Sequence, residues 1–545
     1  MNNSAILVVI PARGGSKGIP RKNLRSLAGK PLLHYSILTA LNSCHNPDVF
    51  VSTDDDEIAS ISEQLGASII HRDPAKAEDA TTLDPVIHDA FIQATAITGK
   101  DYKLIVTLQP TSPLLSTSSL DDALSSMVRN PDLDTIISAK DDTHLTWRHD
   151  GDSYKPNYDK RVNRQYLPQT YKETGGFLIT RTSNITETNR IGNNVALHLL
   201  SNGEDIDIDT YEDWNLCEYY LKRKRLLFVV SGYPEIGLGH AYNTLLIAND
   251  ILNHQIEFLV DTKSQLARDK IAEKNYTVQI QTSDDIADDV IKINPDVVIN
   301  DRLDTSKEYI QKIKDAGIKT INFEDLGDGA RLADLVINAI YPENTVLPKH
   351  HFGHEYFILR DEFFLTKKKL PSANVTRVLL TFGGVDPNNL TCRVLKAIQP
   401  YCRENDIAIS VVAGFGYSNY EKLNEFEGID VFRNCTNISH HMQSADIIFT
   451  SAGRTTYEVA SLQVPSIVIA QNPRELTHFF ASAEYGFLNL GLGNELQGSD
   501  ILEAFISLAE NQESRIYMAD LMAKTDLASG RKRTLKLIND VVEQA

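Results

Sequence analysis

The stretch AILVVIPARGGSKGIPRKN, residues 5–23, decides the fold of the first part of the chain. Its apolar run predicts a buried β-strand, and the glycines behind it predict a turn at the strand's carboxyl end, where α/β sheets bind ligands. Backbone N–H groups at Gly14, Gly15 and Gly18 can approach an anion closely. The cations of the same turn are Arg13, Lys17, Arg21 and Lys22. Together these residues predict a loop that holds a triphosphate.

The turn matches neither of two common phosphate-binding motifs. It reads as neither GxGxxG nor GxxxxGKS/T, so neither a dinucleotide fold nor a P-loop is indicated. The alternative is a flexible basic surface loop. The position of the cations, among glycines and directly after a strand, favours the anion site.

The composition restricts the other partners of the chain. With 545 residues the sequence predicts about three folding units, and a formal net charge of -19 disfavours binding to nucleic acid or to an anionic membrane. The five cysteines form no CxxC pair, and no segment reads as a signal peptide or a membrane span. We therefore expect a cytoplasmic protein without disulfides.

Short β-branched runs alternate with helical segments along the whole chain, which predicts α/β architecture with mostly parallel sheets. The pattern restarts after the basic run at 222–225, and a polar segment with a proline at 362–376 interrupts it again. We therefore predict three domains: 1–224, 225–372 and 373–545. The last two are expected to be Rossmann-like lobes on either side of a cleft.

Four ordered motifs of the first domain resemble those of the CMP-sialic acid synthetases, the acylneuraminate cytidylyltransferases. They are IPARGGSKGIPRKNLRSLAGKPLLHYSI, VSTDDDEIA, EDATTLDPVIHDA and LQPTSPL. The resemblance covers about residues 5–220. It implies a Rossmann-like nucleotidyltransferase domain that joins CTP to a nonulosonic acid, and relatives of this kind commonly form homodimers.

The resemblance also assigns roles to residues. It implies that Arg13 and Lys22 stabilise charge on the reacting phosphate, and that Arg164 and Gln165 approach the sugar acid. The predicted CTP site comprises Arg13, Gly14, Gly15, Lys17, Lys22, Asn23, Asp79, Thr81, Thr82 and Gln109. A capped helix or a satisfied surface group is the alternative at each position.

Asp207 and Asp209, in EDIDIDTYEDW, are the predicted metal ligands. Side chains two apart on a strand share a face, and nucleotidyl transfer needs a metal such as Mg²⁺ to neutralise charge on the triphosphate. The resemblance places Mg²⁺ at a motif of this kind. The alternative is a solvated acidic loop. The family's usual NGA-aromatic-Tyr stretch is replaced here by YKETGGFLIT, residues 171–180, so the particular sugar stays open.

The restarted pattern at LLFVVSGYPEIGLGHAYNTLLIA places His240 at the start of a helix, beside a glycine turn. A histidine there can serve as a neutral general base, although a lone histidine is more often structural. Two later strand-to-helix turns offer phosphate and ribose contacts. The predicted nucleotide-sugar site comprises Gly239, His240, Asp301, Gly383, Gly384, Ser451, Gly453, Thr455 and Glu458.

Several motifs beyond residue 225 resemble the UDP-sugar hydrolases of the pseudaminic acid pathway, which share a double-Rossmann fold with glycosyltransferases of the B type. They include GLGHAYNTLLIA, INDRLD, FGGVDPNN and SAGRTTYE. The resemblance implies that His240 activates the water that displaces UDP, and that Asp301 and Asp304 bind sugar hydroxyls. The chain departs from the family at Asn243, where an arginine is usual, and at Arg302, where a tyrosine is usual.

Both resemblances together predict a bifunctional enzyme of nonulosonic acid biosynthesis, which makes a CMP-nonulosonate and hydrolyses a UDP-amino sugar. The expected partners are CTP, a nonulosonic acid, the UDP-sugar and a separate nonulosonate synthase that acts between the two steps. The alternatives for the second part are a glycosyltransferase and a non-catalytic module that binds a nucleotide sugar or a partner.

Overall fold

The computed structural model describes residues 5–16, 18–78, 80–201, 203–343, 347–433, 435 and 437–545. The chain divides into two compact units, Met1–Arg223 and Lys224–Ala545. Among the described residues, no helix is both long enough and apolar enough to cross a bilayer.

The first unit alternates strands and helices. Its strands are β1 (Ala5–Pro11), β2 (Ser26–Leu27), β3 (Lys30–Pro31), β4 (Asp48–Thr53), β5 (Ser68–His71), β6 (Tyr102–Leu108), β7 (Thr135–Asp141), β8 (Trp147–Asp150), β9 (Ser153–Pro156), β10 (Tyr171–Arg181) and β11 (Val195–Leu199). Its helices are α1 (Leu32–Leu41), α2 (Asp56–Gln64), α3 (Leu83–Thr98), α4 (Thr117–Arg129) and α5 (Tyr211–Lys222). Short 3₁₀ turns lie at Lys22–Leu24, Pro74–Lys76, Arg164–Tyr166 and Thr182–Asn184.

Seven of these strands form one sheet in the order β11-β7-β10-β6-β1-β4-β5. Strand β10 runs antiparallel to both of its neighbours, and the other pairs are parallel. Strand β1 is central and its residues 7–10 are fully buried, as an apolar run covered on both faces requires. The prediction of a mostly parallel sheet is confirmed, and the ends of β1, β4 and β6 meet at one edge.

The second unit contains two further sheets. The strands of its first lobe are β12 (Arg225–Val230), β13 (Gln255–Val260), β14 (Val278–Ile280), β15 (Val297–Asp301), β16 (Lys319–Phe323), β17 (Leu335–Asn338) and β18 (His350–Phe352). The helices of this stretch are α6 (Gly239–Asp250), α7 (Gln265–Ala272), α8 (Ile286–Ile293), α9 (Lys307–Asp315) and α10 (Asp361–Leu365), with 3₁₀ turns at Asp328–Leu332 and His354–Tyr356.

The second lobe follows the same α/β pattern. Its strands are β19 (Arg377–Thr381), β20 (Ala408–Ala413), β21 (Ile429–Arg433), β22 (Ile447–Thr450), β23 (Ser466–Ala470) and β24 (Phe487–Leu492). The helices that follow β19 are α11 (Leu390–Glu404), α12 (Tyr420–Leu423), α13 (Ile438–Ser444), α14 (Thr455–Leu462), α15 (Gly498–Glu510), α16 (Gln512–Ala523) and α17 (Gly530–Val542), with 3₁₀ turns at Glu475–Thr477 and Ala483–Tyr485.

Both sheets of the second unit are parallel throughout, in the orders β14-β13-β12-β15-β16-β17-β18 and β21-β20-β19-β22-β23-β24. In each sheet the chain order reverses at the centre, between β12 and β15 and between β19 and β22. Ligands of open α/β sheets bind at such switch points. The double-Rossmann architecture predicted for this part is confirmed by the two sheets.

The two lobes share packing through aromatic rings and through the last helix. Tyr457 stacks between Phe357 and Phe480, with ring centroids 4.0 and 4.1 Å apart. The prediction assigned all of 373–545 to the second lobe, but Ile538 and Val542 of α17 pack into the core of the first lobe. The apolar face of α17 finds its partner there, so the chain crosses back after the second sheet.

Candidate active sites

The glycine loop of the first unit lies against the carboxyl end of β4. The N–H of Gly14 donates to Asp54 Oδ1 at 3.0 Å, and Asn23 Nδ2 donates to the carbonyl of Arg13 at 3.0 Å. A Cβ at Gly14 would lie 2.7 Å from Asp55 Oδ2, so the close approach requires glycine. Asp55 accepts from the N–H groups of residues 57 and 58 and caps α2. Asp55 is therefore the N-cap residue of α2.

Lys22 joins the loop to the predicted metal ligands. Its Nζ donates to the carbonyl of Ile208 at 2.6 Å and lies 3.5 Å from Asp209 Oδ1. A Cβ at Gly18 would lie 2.9 Å from the carbonyl oxygen of Asp209. The structure thus brings together the basic loop and the acidic segment, which are far apart in sequence.

The acidic segment is not the strand that the prediction assumed. Residues 206–209 are irregular, and the N–H of Ile208 donates to the carbonyl of Thr111 at 2.8 Å. The two carboxylates therefore do not share a strand face. The Asp209 side chain is 77% exposed beside Lys22, whereas Asp207 is half-buried under Gly175 and Gln109.

The surroundings of Asp207 suit a residue that binds a cation. Its Oδ1 is buried and makes no hydrogen bond to any described residue. Burial raises the pKa of Asp207, and the negative charge of Asp209 raises it further. A divalent cation would satisfy the orphaned oxygen and relieve the repulsion between the two carboxylates, and hard oxygen ligands suit Mg²⁺.

Gly175 brings Gln109 and Asp207 together. Its φ is +71°, and a Cβ at this position would lie 3.2 Å from both Gln109 Nε2 and Asp207 Oδ2. The register of β10 against β7 shifts between residues 173 and 178, around this glycine. The departure YKETGGFLIT thus forms an irregular stretch of β10 beside the predicted site.

Sequence reasoning missed Arg72, which follows β5. Its side chain is 6% exposed, with Nη2 donating to the carbonyl of Ser52 at 2.7 Å and Nε to Ser52 Oγ at 3.2 Å. Burial lowers the pKa of Arg72 to about 10, with Asp54 opposing the shift and Arg13 adding to it. A second guanidinium thus lies near Arg13. The signal was a cation directly after a strand, at the edge where ligands bind.

The remaining predicted residues of the first unit fall into three groups. Arg13 Nη1 donates to the carbonyl of Ala77 at 3.4 Å, and Thr81 and Thr82 lead from that turn into α3. Lys17 and Asp79 lie outside the described residues. Arg164 and Gln165 occupy an exposed 3₁₀ turn, and no hydrogen bond or ion pair among the described residues joins them to the glycine loop.

Among the residues that the structure describes, one group of three has side chains spaced to hold a metal ion: Cys44, His45 and Asp121. Asp121 accepts hydrogen bonds from Ser43 Oγ at 2.5 Å and from the N–H of Cys44 at 3.1 Å. These bonds explain the grouping, because they tie the turn after α1 to α4.

In the second unit, a cavity of about 470 Å³ lies at the two switch points. The predicted residues that line it are Gly239, His240, Gly383, Gly384, Ser451, Gly453, Thr455 and Glu458. The carboxylate of Glu458 accepts from Arg360 Nε at 2.8 Å. Gly384 packs closely, since a Cβ there would lie 3.2 Å from the side chain of Leu238.

His240 and Asp301 form a dyad at the first switch point. His240 Nδ1 donates to Asp301 Oδ1 at 2.5 Å, and Asn243 Nδ2 donates to Asp301 Oδ2 at 2.7 Å. Asp301 is fully buried and is not among the residues that line the cavity. The carboxylate therefore orients the imidazole. Contrary to the prediction, it does not reach a sugar hydroxyl. The arrangement leaves His240 Nε2 as the acceptor of the ring.

Asp304, which was predicted to bind a sugar hydroxyl, and Arg302, which departs from the family pattern, each contact another side chain. Asp304 accepts two hydrogen bonds from Arg474 of the second lobe, at 2.9 and 3.0 Å. The guanidinium of Arg302 lies 5.1 Å from the ring centroid of Tyr309. Asp304 thus links the two lobes of the second unit, and Arg302 packs against α9.

Three cavity residues were missed by sequence reasoning. Burial raises the pKa of Glu324 to about 8. Arg454 Nη1 lies 3.4 Å from the Oε1 of this glutamate. Burial lowers the pKa of His478 to about 4, while its Nδ1 donates to the carbonyl of Ala452 at 2.7 Å. No local pattern marks these side chains as cleft residues.

Comparison with known proteins agrees with the geometry of the first unit. The family described as Cytidylyltransferase matches residues 7–202. The CMP-N,N'-diacetyllegionaminic acid synthase of Legionella pneumophila is 34% identical over 223 residues, which cover 39% of this chain and 94% of that protein. The chain belongs to the cytidylyltransferase family. Its first unit is a cytidylyltransferase of the CMP-sialic acid synthetase type.

Two further similarities extend beyond the cytidylyltransferase family match. An uncharacterized protein of Methanocaldococcus jannaschii is 31% identical over 329 residues, which are 52% of this chain and 66% of that protein. This chain thus spans slightly less than two thirds of the archaeal relative. The match to the crystal structure of Acinetobacter baumannii MurG spans 58% of this chain and 99% of the MurG chain, with 14% identity and a TM-score of 0.42.

Proposed function

We propose that the chain is a bifunctional enzyme of nonulosonic acid biosynthesis. Its first unit would transfer CMP from CTP to a nonulosonic acid, and its second unit would hydrolyse a UDP-amino sugar to UDP and the free sugar. The observation that supports the first reaction best is the convergence of Lys22, Asp207 and Asp209 beside the glycine loop. The His240–Asp301 dyad supports the second reaction.

In the first reaction, the anomeric hydroxyl of the sugar acid attacks the α-phosphorus of CTP, and the bond to the bridging oxygen breaks to release pyrophosphate. The positive charges of Arg13, Lys22 and Arg72 stabilise the charge that develops on the phosphates. Mg²⁺ held by Asp207 and Asp209 would neutralise triphosphate charge and orient the hydroxyl. Gly175 keeps Asp207 and Gln109 in place, because any side chain there would displace them.

In the second reaction, water attacks the anomeric carbon while its bond to the UDP oxygen breaks. His240 Nε2 takes the proton of the water, and Asp301 stabilises the imidazolium that forms. The glycine turns after β19 and β22 would hold the diphosphate with backbone N–H groups. This assignment fits a cavity built from both lobes, with His240 on one wall.

Two partners follow from the same proposal. A separate synthase would convert the sugar released by the second unit into the sugar acid used by the first. A homodimer through the first unit is supported by the hairpin β8–β9, on which Trp147 and Tyr154 are 55% and 71% exposed. Large exposed aromatic side chains are typical of protein interfaces.

The first reaction is tested by pyrophosphate release from CTP with sialic, legionaminic and pseudaminic acids in turn. We expect turnover only with a nonulosonic acid and a divalent metal present. The Legionella relative makes legionaminic acid the first substrate to try. Equal turnover with ATP, or with a simple hexose phosphate as acceptor, would overturn the assignment.

The second reaction is tested by UDP release from UDP-amino sugars in the absence of an acceptor. We expect His240→Ala to lower the rate by roughly 10²-fold or more, as the loss of a general base does. An unchanged rate would remove the catalytic role of His240. Release that requires an added sugar acceptor would favour the glycosyltransferase alternative, and UDP-sugar binding without release would favour a binding module.

A further inference from the structure

A chain of hydrogen bonds crosses the cleft of the second unit and ends on His240. Arg454, from the turn between β22 and α14, donates from Nη2 to Asn243 Oδ1 at 2.6 Å. Asn243 Nδ2 donates to Asp301 Oδ2 at 2.7 Å, and His240 Nδ1 donates to Asp301 Oδ1 at 2.5 Å. The arginine belongs to the second lobe, whereas the three other residues belong to the first.

Arg454 fixes which way the Asn243 amide faces. A guanidinium only donates hydrogen bonds, so it selects the amide oxygen and leaves the NH₂ group to face Asp301. The reversed amide would direct its oxygen at a carboxylate, which is costly because Asn243 is only 2% exposed. With both of its oxygens engaged, Asp301 has one orientation, and that orientation sets the ring position of His240.

The charges of the network agree with this arrangement. Arg454 lies between Asn243 and Glu324, whose Oε1 is 3.4 Å away, and its guanidinium also lies 4.5 Å from the ring centroid of Phe357. Burial raises the pKa of Glu324 to about 8, which weakens this carboxyl as a competitor for the guanidinium.

We propose that Arg454 is a positioning residue, which acts through Asn243 and Asp301 to hold His240 Nε2 toward the substrate. The inference rests on the proposed function of the second unit. The turn between β22 and α14 would then have two roles. It presents Ser451 and Gly453 to the cavity, and it positions His240 through Arg454. The nucleotide-binding lobe thereby completes the catalytic dyad of the other lobe.

A double-mutant cycle tests the route of this effect. Arg454→Met keeps the apolar stem beside Phe357 and removes the charge, and Asn243→Ala removes the amide. We expect each single variant to lower the kcat of UDP release by roughly tenfold or more. The kcat of the double variant should lie within about threefold of that of the less active single variant, because both changes break one chain of contacts. The Kd for UDP should stay within about threefold of the wild type.

A direct contact between Arg454 and the diphosphate predicts a different pattern. The UDP affinity of Arg454→Met would then fall, and the two losses in kcat/KM would multiply in the double variant. That result would overturn the inference. Arg268→Met, which removes an arginine paired with Asp269 in the same unit, is the matched control and should leave both quantities unchanged.

The second measurement does not need turnover. Diethyl pyrocarbonate modifies neutral imidazoles, and peptide mass spectrometry reports the rate at each histidine of the intact protein. We expect the reaction rate of His240 to change in Arg454→Met and in Asn243→Ala by the same factor, because both variants release the orientation of Asp301 and with it the position of the imidazole. The exposed His149 serves as the internal reference.

The outcomes separate the two proposals. If the wild type releases no UDP from any UDP-amino sugar, the proposed hydrolysis is wrong, and the His240 modification rates still decide whether Arg454 positions the ring. Unchanged modification in both variants, or a change only in Asn243→Ala, would overturn the inference. Thermal melting of each variant identifies loss of fold, and Asn243→Ser replaces Asn243→Ala if the latter does not fold.

Discussion

At the scale of single residues, both candidate sites depend on polar side chains that are wholly or partly removed from solvent. Asp207 has an oxygen without a described partner, and Glu324 and Arg454 share a buried wall of the second cleft. Burial of such groups costs stability unless a partner compensates for it. These positions are therefore where changes to one atom should have the largest effects on function.

Gly175→Ala should reduce cytidylyl transfer more than it reduces stability. The positive φ costs any other residue roughly 1–2 kcal/mol, and the new Cβ would lie 3.2 Å from Gln109 and Asp207. Gly151 has a φ of +63°, but a Cβ there meets no described atom within 4 Å. Gly151→Ala is therefore the control for backbone strain. We expect urea unfolding to show similar losses of stability in both variants. Pyrophosphate release should be lost in Gly175→Ala alone. Equal activities would contradict this role of Gly175.

Asp207→Asn should stabilise the protein at neutral pH while it removes cytidylyl transfer. The folded pKa of Asp207 lies above its ordinary value, so the native state binds the proton more tightly and stability falls as pH rises through the raised pKa. Asparagine does not titrate, so the melting temperature of Asp207→Asn should exceed that of the wild type at pH 7 without metal. Asp209→Asn, at the 77% exposed position, should change stability little. Added Mg²⁺ should raise the wild-type melting temperature and leave Asp207→Asn unchanged.

At the scale of elements, the strands and the turns that follow them could be predicted from the sequence, because apolar runs and glycines are local signals. The loop after β1 and the helix start at His240 lie where the patterns placed them. The segment at 206–209 could not be predicted, because alternating carboxylates also suit an irregular stretch that is held by Lys22 and Thr111. The contacts of Arg454 and Arg72 join distant elements, so the sequence does not show these contacts, although it does place Arg72 directly after a strand.

Helix α17 should determine the stability of the second unit. Ile538 is fully buried against the first sheet of that unit, although it lies near the end of the chain. Ile538→Ala should cost about 2–5 kcal/mol of unfolding free energy, as a cavity in a packed core does. Lys536→Ala, at an exposed position of the same helix, is the control. A change of less than about 1 kcal/mol in Ile538→Ala, measured by urea unfolding, would contradict the packing of α17 on the first lobe.

At the scale of the whole molecule, the two compact units contain two different sets of candidate catalytic side chains. The first unit belongs to the cytidylyltransferase family, and its glycine loop lies beside carboxylates. The second unit has a histidine dyad whose His240 lines a cavity at two switch points. Because the two sets of residues do not overlap, each proposed reaction should be removable without the other.

The most direct test is a crossed assay on the intact chain, with CMP-nonulosonate formation and UDP release measured side by side for wild type, Asp207→Asn and His240→Ala. Asp207→Asn should lose CMP-nonulosonate formation by roughly 10²-fold or more and keep UDP release within about twofold, and His240→Ala should show the reverse. Loss of both activities in either variant, or of neither, would contradict two separate active sites in one chain.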